Sequence, residues 1–141
     1  MQRKINKIIV HCSDSPEGRE DTIDDIRLWH MNERGWSDVG YHYVIHLDGS
    51  IHVGREVNTQ GAHVKGHNKG SIGVCYVGGA DIDFKPKDTR TCEQKESLEI
   101  VLQYLKRVYP RVEILGHRDL SSKACPSFDA KNEYGWISDR C

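Results

Sequence analysis

Residues 7–11 read Lys7-Ile8-Ile9-Val10-His11, and this short stretch indicates the fold class. Three consecutive β-branched, apolar residues are typical of a strand that is buried on both faces of a sheet. Such a strand would deliver His11 at its carboxyl end, the edge at which open α/β sheets bind ligands. The sequence therefore predicts a buried central strand with a histidine at the functional edge of the sheet.

Helix and strand signals alternate along the rest of the chain. Two residue pairs have capping-box spacing, Thr22 with Asp25 and Thr91 with Gln94, and each precedes a helical pattern. The predicted strands are Lys7–Val10, Tyr41–Leu47, Ser50–Arg55, Ser71–Val77 and Val112–Leu115, and the predicted helices end near Gly35 and Pro110. We expect one α/β domain over residues 1–141, with a mixed β-sheet flanked by α-helices and a hairpin around Asp48-Gly49.

Composition excludes several classes of function. The 141 residues carry 20 Lys plus Arg against 21 Asp plus Glu, so the basic surface of a nucleic-acid-binding protein is not expected. The apolar stretches are too short to cross a membrane or to form an export signal. We therefore expect a monomer that is made in the cytoplasm without a signal peptide. Eight histidines against two phenylalanines point instead to metal or acid–base chemistry.

Three residues could form a metal site. His11 and His117 each follow a predicted buried strand, and Cys125 follows His117 after a loop of seven residues. Two imidazoles and one thiolate suit Zn²⁺ and would leave a fourth position for water. Sequence spacing alone leaves two alternatives open. The three residues could be unrelated, or Cys125 could be the nucleophile of a cysteine hydrolase with His117 as its base.

The segment Lys123-Ala124-Cys125-Pro126 adds a cation to this candidate site. Pro126 favours an extended conformation at Cys125. In an extended chain, residues i and i+2 lie on the same side at a distance of ~6.6 Å. Lys123 is therefore predicted to face the same cavity as Cys125.

Several motifs match those of one enzyme family, in that family's order. They are Ile9–Ser13, Ile26–His30, Gly35–Tyr43, Asp48-Gly49, Ala62–Gly66 with Asn68, Ser71–Cys75, Val77–Gly79, Gly116–Leu120 and Lys123–Asp129. On these motifs the chain resembles the zinc-dependent N-acetylmuramoyl-L-alanine amidases of the type-2 amidase and peptidoglycan-recognition-protein superfamily. The resemblance extends from residue 9 to residue 129 and so covers most of the chain.

The resemblance implies an activity and a set of site residues. It implies one Zn²⁺ ion held by His11, His117 and Cys125, with Tyr41 and Lys123 as the catalytic side chains. His63 and Asn68 stand where members of the family line the substrate groove. The implied reaction is hydrolysis of the amide bond between the lactyl group of N-acetylmuramic acid and L-alanine. The implied partner is peptidoglycan or its muropeptide fragments.

The biological setting has more than one interpretation. A wall-degrading enzyme without an export signal suggests a phage or prophage endolysin that reaches the wall through a membrane lesion made by another protein. A cytosolic amidase that recycles muropeptides is the alternative. A peptidoglycan-binding module without catalysis and a regulator with a structural zinc are further alternatives, although the latter would need a fourth protein ligand.

Overall fold

The computed structural model describes residues 3–138, with Ser138 described by its backbone alone. The elements in chain order are β1 (Lys7–Cys12), β2 (Ser15–Pro16), α1 (Ile23–Arg34), β3 (Tyr43–Ile45), β4 (Ile51–Val53), β5 (Ser71–Tyr76), β6 (Gly79–Ala80), α2 (Cys92–Val108), β7 (Glu113–Gly116), a 3₁₀ turn (His117–Asp119) and α3 (Ala130–Ser138).

The main sheet has five strands in the order β4-β3-β5-β1-β7. β1 is parallel to both of its neighbours, β5 and β7, and β3 is parallel to β5. Only the pairing of β3 with the edge strand β4 is antiparallel within this sheet. The prediction of an α/β domain with a mixed sheet is therefore confirmed.

The helices cover both faces of this sheet. α2 and α3 pack on one face of the sheet. On this face, Ile8, Val10 and Cys12 of β1 belong to one hydrophobic core with buried side chains of β5. α1 packs on the other face, where Ile23 and Ile26 contact a smaller cluster that includes Cys75. Because both faces are covered, the central strands β1 and β5 are almost completely buried, as their apolar sequences predict.

Local sequence signals explain where the helices start. The side chain of Thr22 accepts the backbone N–H of Asp25 and that of Thr91 accepts the backbone N–H of Gln94, and both capping boxes are complete. Gly35 ends α1 in the left-handed conformation, with φ of 70°. Both predicted helices are thus confirmed.

Four features differ from the sequence-based expectations. The hairpin has only three residues in each strand, and β1 extends to Cys12, so His11 lies inside the strand and not beyond it. The sequence did not predict the small parallel β2–β6 sheet or helix α3. In the part of the chain from residue 3 to residue 138, the helices fall short of the length and apolar character needed to cross a membrane.

Candidate active site

The register of the sheet brings two of the predicted ligands together. β1 and β7 are parallel, with Val10 opposite Gly116. The next residues, His11 and His117, therefore lie side by side at the carboxyl edge of the sheet, and their ring centroids are 4.7 Å apart. His11 is 1% exposed and His117 is 8% exposed, so most of both rings is shielded from water.

Cys125 reaches the same place from the loop that follows the 3₁₀ turn. Its Sγ accepts the backbone N–H of Cys12 at 3.2 Å and lies 3.8 Å from Nδ1 of His11. The loop is held by a hydrogen bond from the backbone N–H of Arg118 to the carbonyl oxygen of Cys125, at 2.7 Å. The three candidate ligands thus come from β1, from the end of β7 and from this loop.

These three residues have the donor set and spacing of a metal site. One ligand atom from each of His11, His117 and Cys125 lies within 4.8 Å of the other two. Neighbouring N and S ligands of a tetrahedral zinc ion are about 3.3–3.6 Å apart, given the usual bond lengths. Among residues 3–138, the group that could hold a metal ion consists of these three residues. The neighbouring Cys12 does not belong to it. The three residues can therefore hold a metal ion and leave a coordination position for another molecule.

The electrostatics of the site favour neutral imidazoles. Burial lowers the pKa of His11 well below its ordinary value, and the neighbouring His63, His117 and Lys123 lower it further. Burial and the Lys123 ammonium also lower the pKa of His117. A neutral imidazole is the form that binds a metal ion, so both rings are ready to act as ligands at neutral pH.

Two of the three candidate ligands, His117 and Cys125, line an open groove of about 720 Å³, and His11 lies buried behind them. Tyr41 and Lys123 both line the groove, together with Cys125 and His117, so the prediction that Lys123 faces the same cavity as Cys125 is confirmed. The Tyr41 ring centroid is 5.1 Å from that of His11. Burial and the nearby thiols raise the pKa of Tyr41 well above its ordinary value, so its hydroxyl keeps its proton and can donate a hydrogen bond.

His63 and Asn68 lie in the irregular segment between β4 and β5. His63 is 8% exposed, and its Nδ1 is 2.8 Å from Nε2 of His11. The side-chain oxygen of Asn68 accepts the backbone N–H groups of His63 and Val64 at 2.8 and 2.9 Å. In this structure His63 contacts the candidate ligand His11, Asn68 holds the backbone of its loop, and the substrate contacts inferred for both residues stay a prediction.

Comparison with known proteins fits this geometry. The profile of the Amidase_2 family, described as N-acetylmuramoyl-L-alanine amidase, matches residues 1–128. The chain belongs to this family. The predicted family resemblance is thereby confirmed, and the activity that defines the family is the one that the resemblance implied.

Individual relatives cover most of this amidase chain. The endolysin of Enterobacteria phage K11 is 42% identical over 136 residues, which are 96% of this chain and 87% of that protein. The endolysin of Escherichia phage T7 is 43% identical over 124 residues, 88% of this chain and 82% of that protein. Among solved structures, the N-acetylmuramoyl-L-alanine amidase LysC from Clostridium intestinale URNW aligns with a TM-score of 0.79 at 29% identity, and the alignment covers 94% of this chain and 83% of LysC.

The groove also contains residues that the sequence analysis did not single out. Arg19, Trp29 and Arg34 line it from the region of α1, and Phe84 lines it from the loop after β6. Trp29 belongs to a motif that supports the family resemblance, but nothing in the local sequence indicates that it faces the site. Phe84 follows no periodic pattern, so no sequence signal could have placed it there.

The buried histidines predict that the metal-free protein loses stability in mild acid. Burial lowers the pKa of His30 and His42 to about 4 and that of His63 to about 3, from an ordinary value of 6.5. The unfolded chain therefore binds more protons than the folded one below pH 6.5. The contribution of the neutral histidines to the free energy of unfolding is thus complete above pH 6.5 and declines as the pH falls toward 4. His42, which is fully buried, should alone remove about 3 kcal/mol over this range.

Urea unfolding of the metal-free protein at several pH values would measure this effect. In the variant His42→Gln, the free energy of unfolding should depend less steeply on pH, by the equivalent of up to about one proton. A free energy of unfolding that stayed constant between pH 7 and pH 4.5 would contradict the assignment of these histidines as neutral.

Proposed function

We propose that this protein is a phage endolysin that cuts peptidoglycan at the amide bond between N-acetylmuramic acid and L-alanine, with one zinc ion as its cofactor. The observation that carries the proposal is the convergence of His11, His117 and Cys125 beside a groove that Tyr41 and Lys123 also line. Membership of the amidase family and the similarity to phage endolysins support it. We propose further that the enzyme reaches the wall through a membrane lesion that another protein makes.

His11, His117 and Cys125 would hold the metal. When bound at two imidazoles and one thiolate, zinc lowers the pKa of coordinated water to about 7 and polarises a carbonyl group. The chain's own contribution is to present two uncharged imidazoles and a sulfur atom in a fixed arrangement. Burial keeps the imidazoles neutral, and the backbone N–H of Cys12 stabilises negative charge on the sulfur of Cys125.

Tyr41 and Lys123 would stabilise the charge that develops during amide hydrolysis. As the carbonyl carbon becomes tetrahedral, negative charge grows on its oxygen. Lys123 and Tyr41 both line the groove, Lys123 with an ammonium group and Tyr41 with a hydroxyl that keeps its proton. Either group could also pass a proton to the departing nitrogen of L-alanine.

The groove suits a substrate that joins a sugar to a peptide. The Phe84 ring, which is 60% exposed, offers an aromatic face on which a sugar ring can pack, and Arg34 offers a cation for the carboxylates of a stem peptide. Such a lining supports peptidoglycan or a muropeptide fragment as the substrate.

Mass analysis of purified peptidoglycan after digestion tests the proposed reaction. Digestion should release stem peptides with a free L-alanine amino group and leave intact glycan strands, and a chelator should stop this until zinc is added back. Peptidoglycan that is bound but not cut would instead favour a binding module. Preference for small muropeptides over intact wall would favour a recycling amidase.

Lys123→Ala should reduce kcat by about 10²–10³-fold while the metal content stays unchanged. The reason is that one donor to the developing negative charge is typically worth ~3–4 kcal/mol. Lys131→Ala is the matched control, because it removes the same charge from an exposed position on α3. Full turnover of the Lys123 variant, with its zinc content verified, would remove Lys123 from the mechanism.

A further inference from the structure

A chain of hydrogen bonds leads from the metal-ligand cluster into the interior, away from the groove. Nε2 of His11 is 2.8 Å from Nδ1 of His63. Nε2 of His63 is in turn 3.2 Å from Oγ of Ser71, and that hydroxyl lies 2.8 Å from the carbonyl oxygen of His67. The mechanism above does not use any of the last three residues.

The position of each proton in this chain follows from its inner end. A carbonyl oxygen only accepts hydrogen bonds, so the Ser71 hydroxyl donates its one proton to the carbonyl oxygen of His67. The Ser71 oxygen must therefore accept a hydrogen bond from Nε2 of His63. A neutral imidazole carries one N–H, so Nδ1 of His63 has none and accepts the proton of Nε2 of His11. Nδ1 of His11 is thereby left with a free lone pair. This is the atom that lies 3.8 Å from the sulfur of Cys125.

The His63 ring occupies a slot that the backbone builds for it. A Cβ atom added at Gly61 or Gly73 would lie 2.7 Å from a ring carbon of His63, closer than real Cβ atoms approach. The side chain of Asn68 holds the His63 backbone through the two N–H groups that it accepts. The ring is 8% exposed, so its orientation is set by packing and not by solvent.

We propose that His63 is a positioning residue that selects the tautomer and orientation of His11, with Ser71 fixing the tautomer of His63 in turn. The proposal rests on the proposed metal site. It adds the residue that holds one of the proposed ligands, His11, in position. Acceptors behind a metal-binding histidine typically change metal affinity 10–100-fold. His63 would therefore tune zinc binding without contacting the ion.

Three variants separate this role from simple packing. His63→Leu removes the acceptor, whereas His63→Asn keeps an acceptor oxygen at the position of Nδ1. Ser71→Ala leaves His63 in place but frees it to adopt the other tautomer. His67→Leu is the matched control, because it alters a half-buried side chain of the same loop and keeps the carbonyl that Ser71 uses.

Two measurements test the proposal. Competition with a chromophoric chelator should give zinc affinity that is 10–100-fold weaker in His63→Leu, weaker in Ser71→Ala, and within a few-fold of wild type in His63→Asn and His67→Leu. NMR of ¹⁵N-labelled imidazoles in the metal-free protein should find the proton of His11 on Nε2 in the wild type and a mixture of tautomers in His63→Leu. Circular dichroism of each variant checks that it is folded.

The outcomes distinguish failure of this proposal from failure of the proposed function. Wild-type protein that binds no zinc would overturn the metal site, while the tautomer measurement would still test the hydrogen-bond chain. A folded His63→Leu variant with wild-type zinc affinity and an unchanged His11 tautomer would overturn the positioning role. If His63→Leu does not fold, the His63→Asn and Ser71→Ala variants decide the question. A Ser71→Ala variant with wild-type zinc affinity and unchanged histidine tautomers would refute the hydrogen-bond chain.

Discussion

Cys125→Ala is expected to remove both bound zinc and amidase activity. The sulfur of Cys125 is one of three candidate ligands within 4.8 Å of one another, and two imidazoles alone hold zinc weakly. Metal catalysis supplies several kcal/mol of transition-state stabilisation, so the rate should fall at least about a thousandfold. Zinc content by elemental analysis and release of free amino groups from peptidoglycan are the two measurements.

A second cysteine provides the control for this experiment. Cys92 is exposed at the start of α2, so Cys92→Ala should keep both zinc and activity. A Cys125→Ala variant that binds zinc normally but has lost turnover would favour the cysteine-hydrolase alternative, in which this sulfur is the nucleophile. Retention of both zinc and turnover would refute the metal site itself.

The largest effect on stability is expected at Arg90. Its side chain is 1% exposed, and its five N–H donors bind both carboxylate oxygens of Asp88, both of Glu133 and the hydroxyl of Tyr134, at 2.6–2.9 Å. The guanidinium carbon also lies 3.4 Å from the ring centroid of Phe128. Arg90 thus fastens α3 to the loop before α2.

Arg90→Met should lower the free energy of unfolding by about 3 kcal/mol. Removing one partner of a buried ion pair costs about 3–5 kcal/mol, and the lower end applies because Asp88 and Glu133 keep 35% and 44% exposure. Arg90→Lys should lose nearly as much, since an ammonium group cannot form two bidentate pairs. Urea unfolding measures both variants.

Arg107→Met is the matched control for this substitution. Arg107 is exposed on α2, so the free energy of unfolding should change by less than about 0.5 kcal/mol. Equal stability of Arg90→Met and Arg107→Met would mean that the buried ion-pair network contributes nothing beyond an ordinary surface charge.

Helix α3 illustrates how sequence signals can be present and still be hidden. Asp129 accepts the backbone N–H of Asn132, and Ala130, Tyr134 and Ile137 form a buried stripe at helical spacing. Gly135 weakens the helical pattern, and the stripe is short. The helix forms because β7 and α2 provide an apolar surface on which these three side chains are buried.

Some residues of the candidate site have a sequence signal and others do not, again because the site depends on contacts between distant residues. His11 and His117 follow apolar runs, so the sequence places each near a sheet edge without showing that they meet. His63 has no such signal, because its contact with His11 joins residues 52 positions apart through an irregular loop. The family resemblance identified its position, and only the structure identified its hydrogen-bond partner.

The sequence by itself determined several local elements of this protein. The two capping boxes, the Asp48-Gly49 turn and the β-branched runs depend on interactions within a few residues, which a linear pattern records. The tertiary structure decided the strand order, the pairing of Val10 with Gly116 and the cluster of His11, His117 and Cys125. The strand order, this pairing and the cluster depend on burying side chains from distant parts of the chain against one another. Patterns among neighbouring residues do not indicate such contacts.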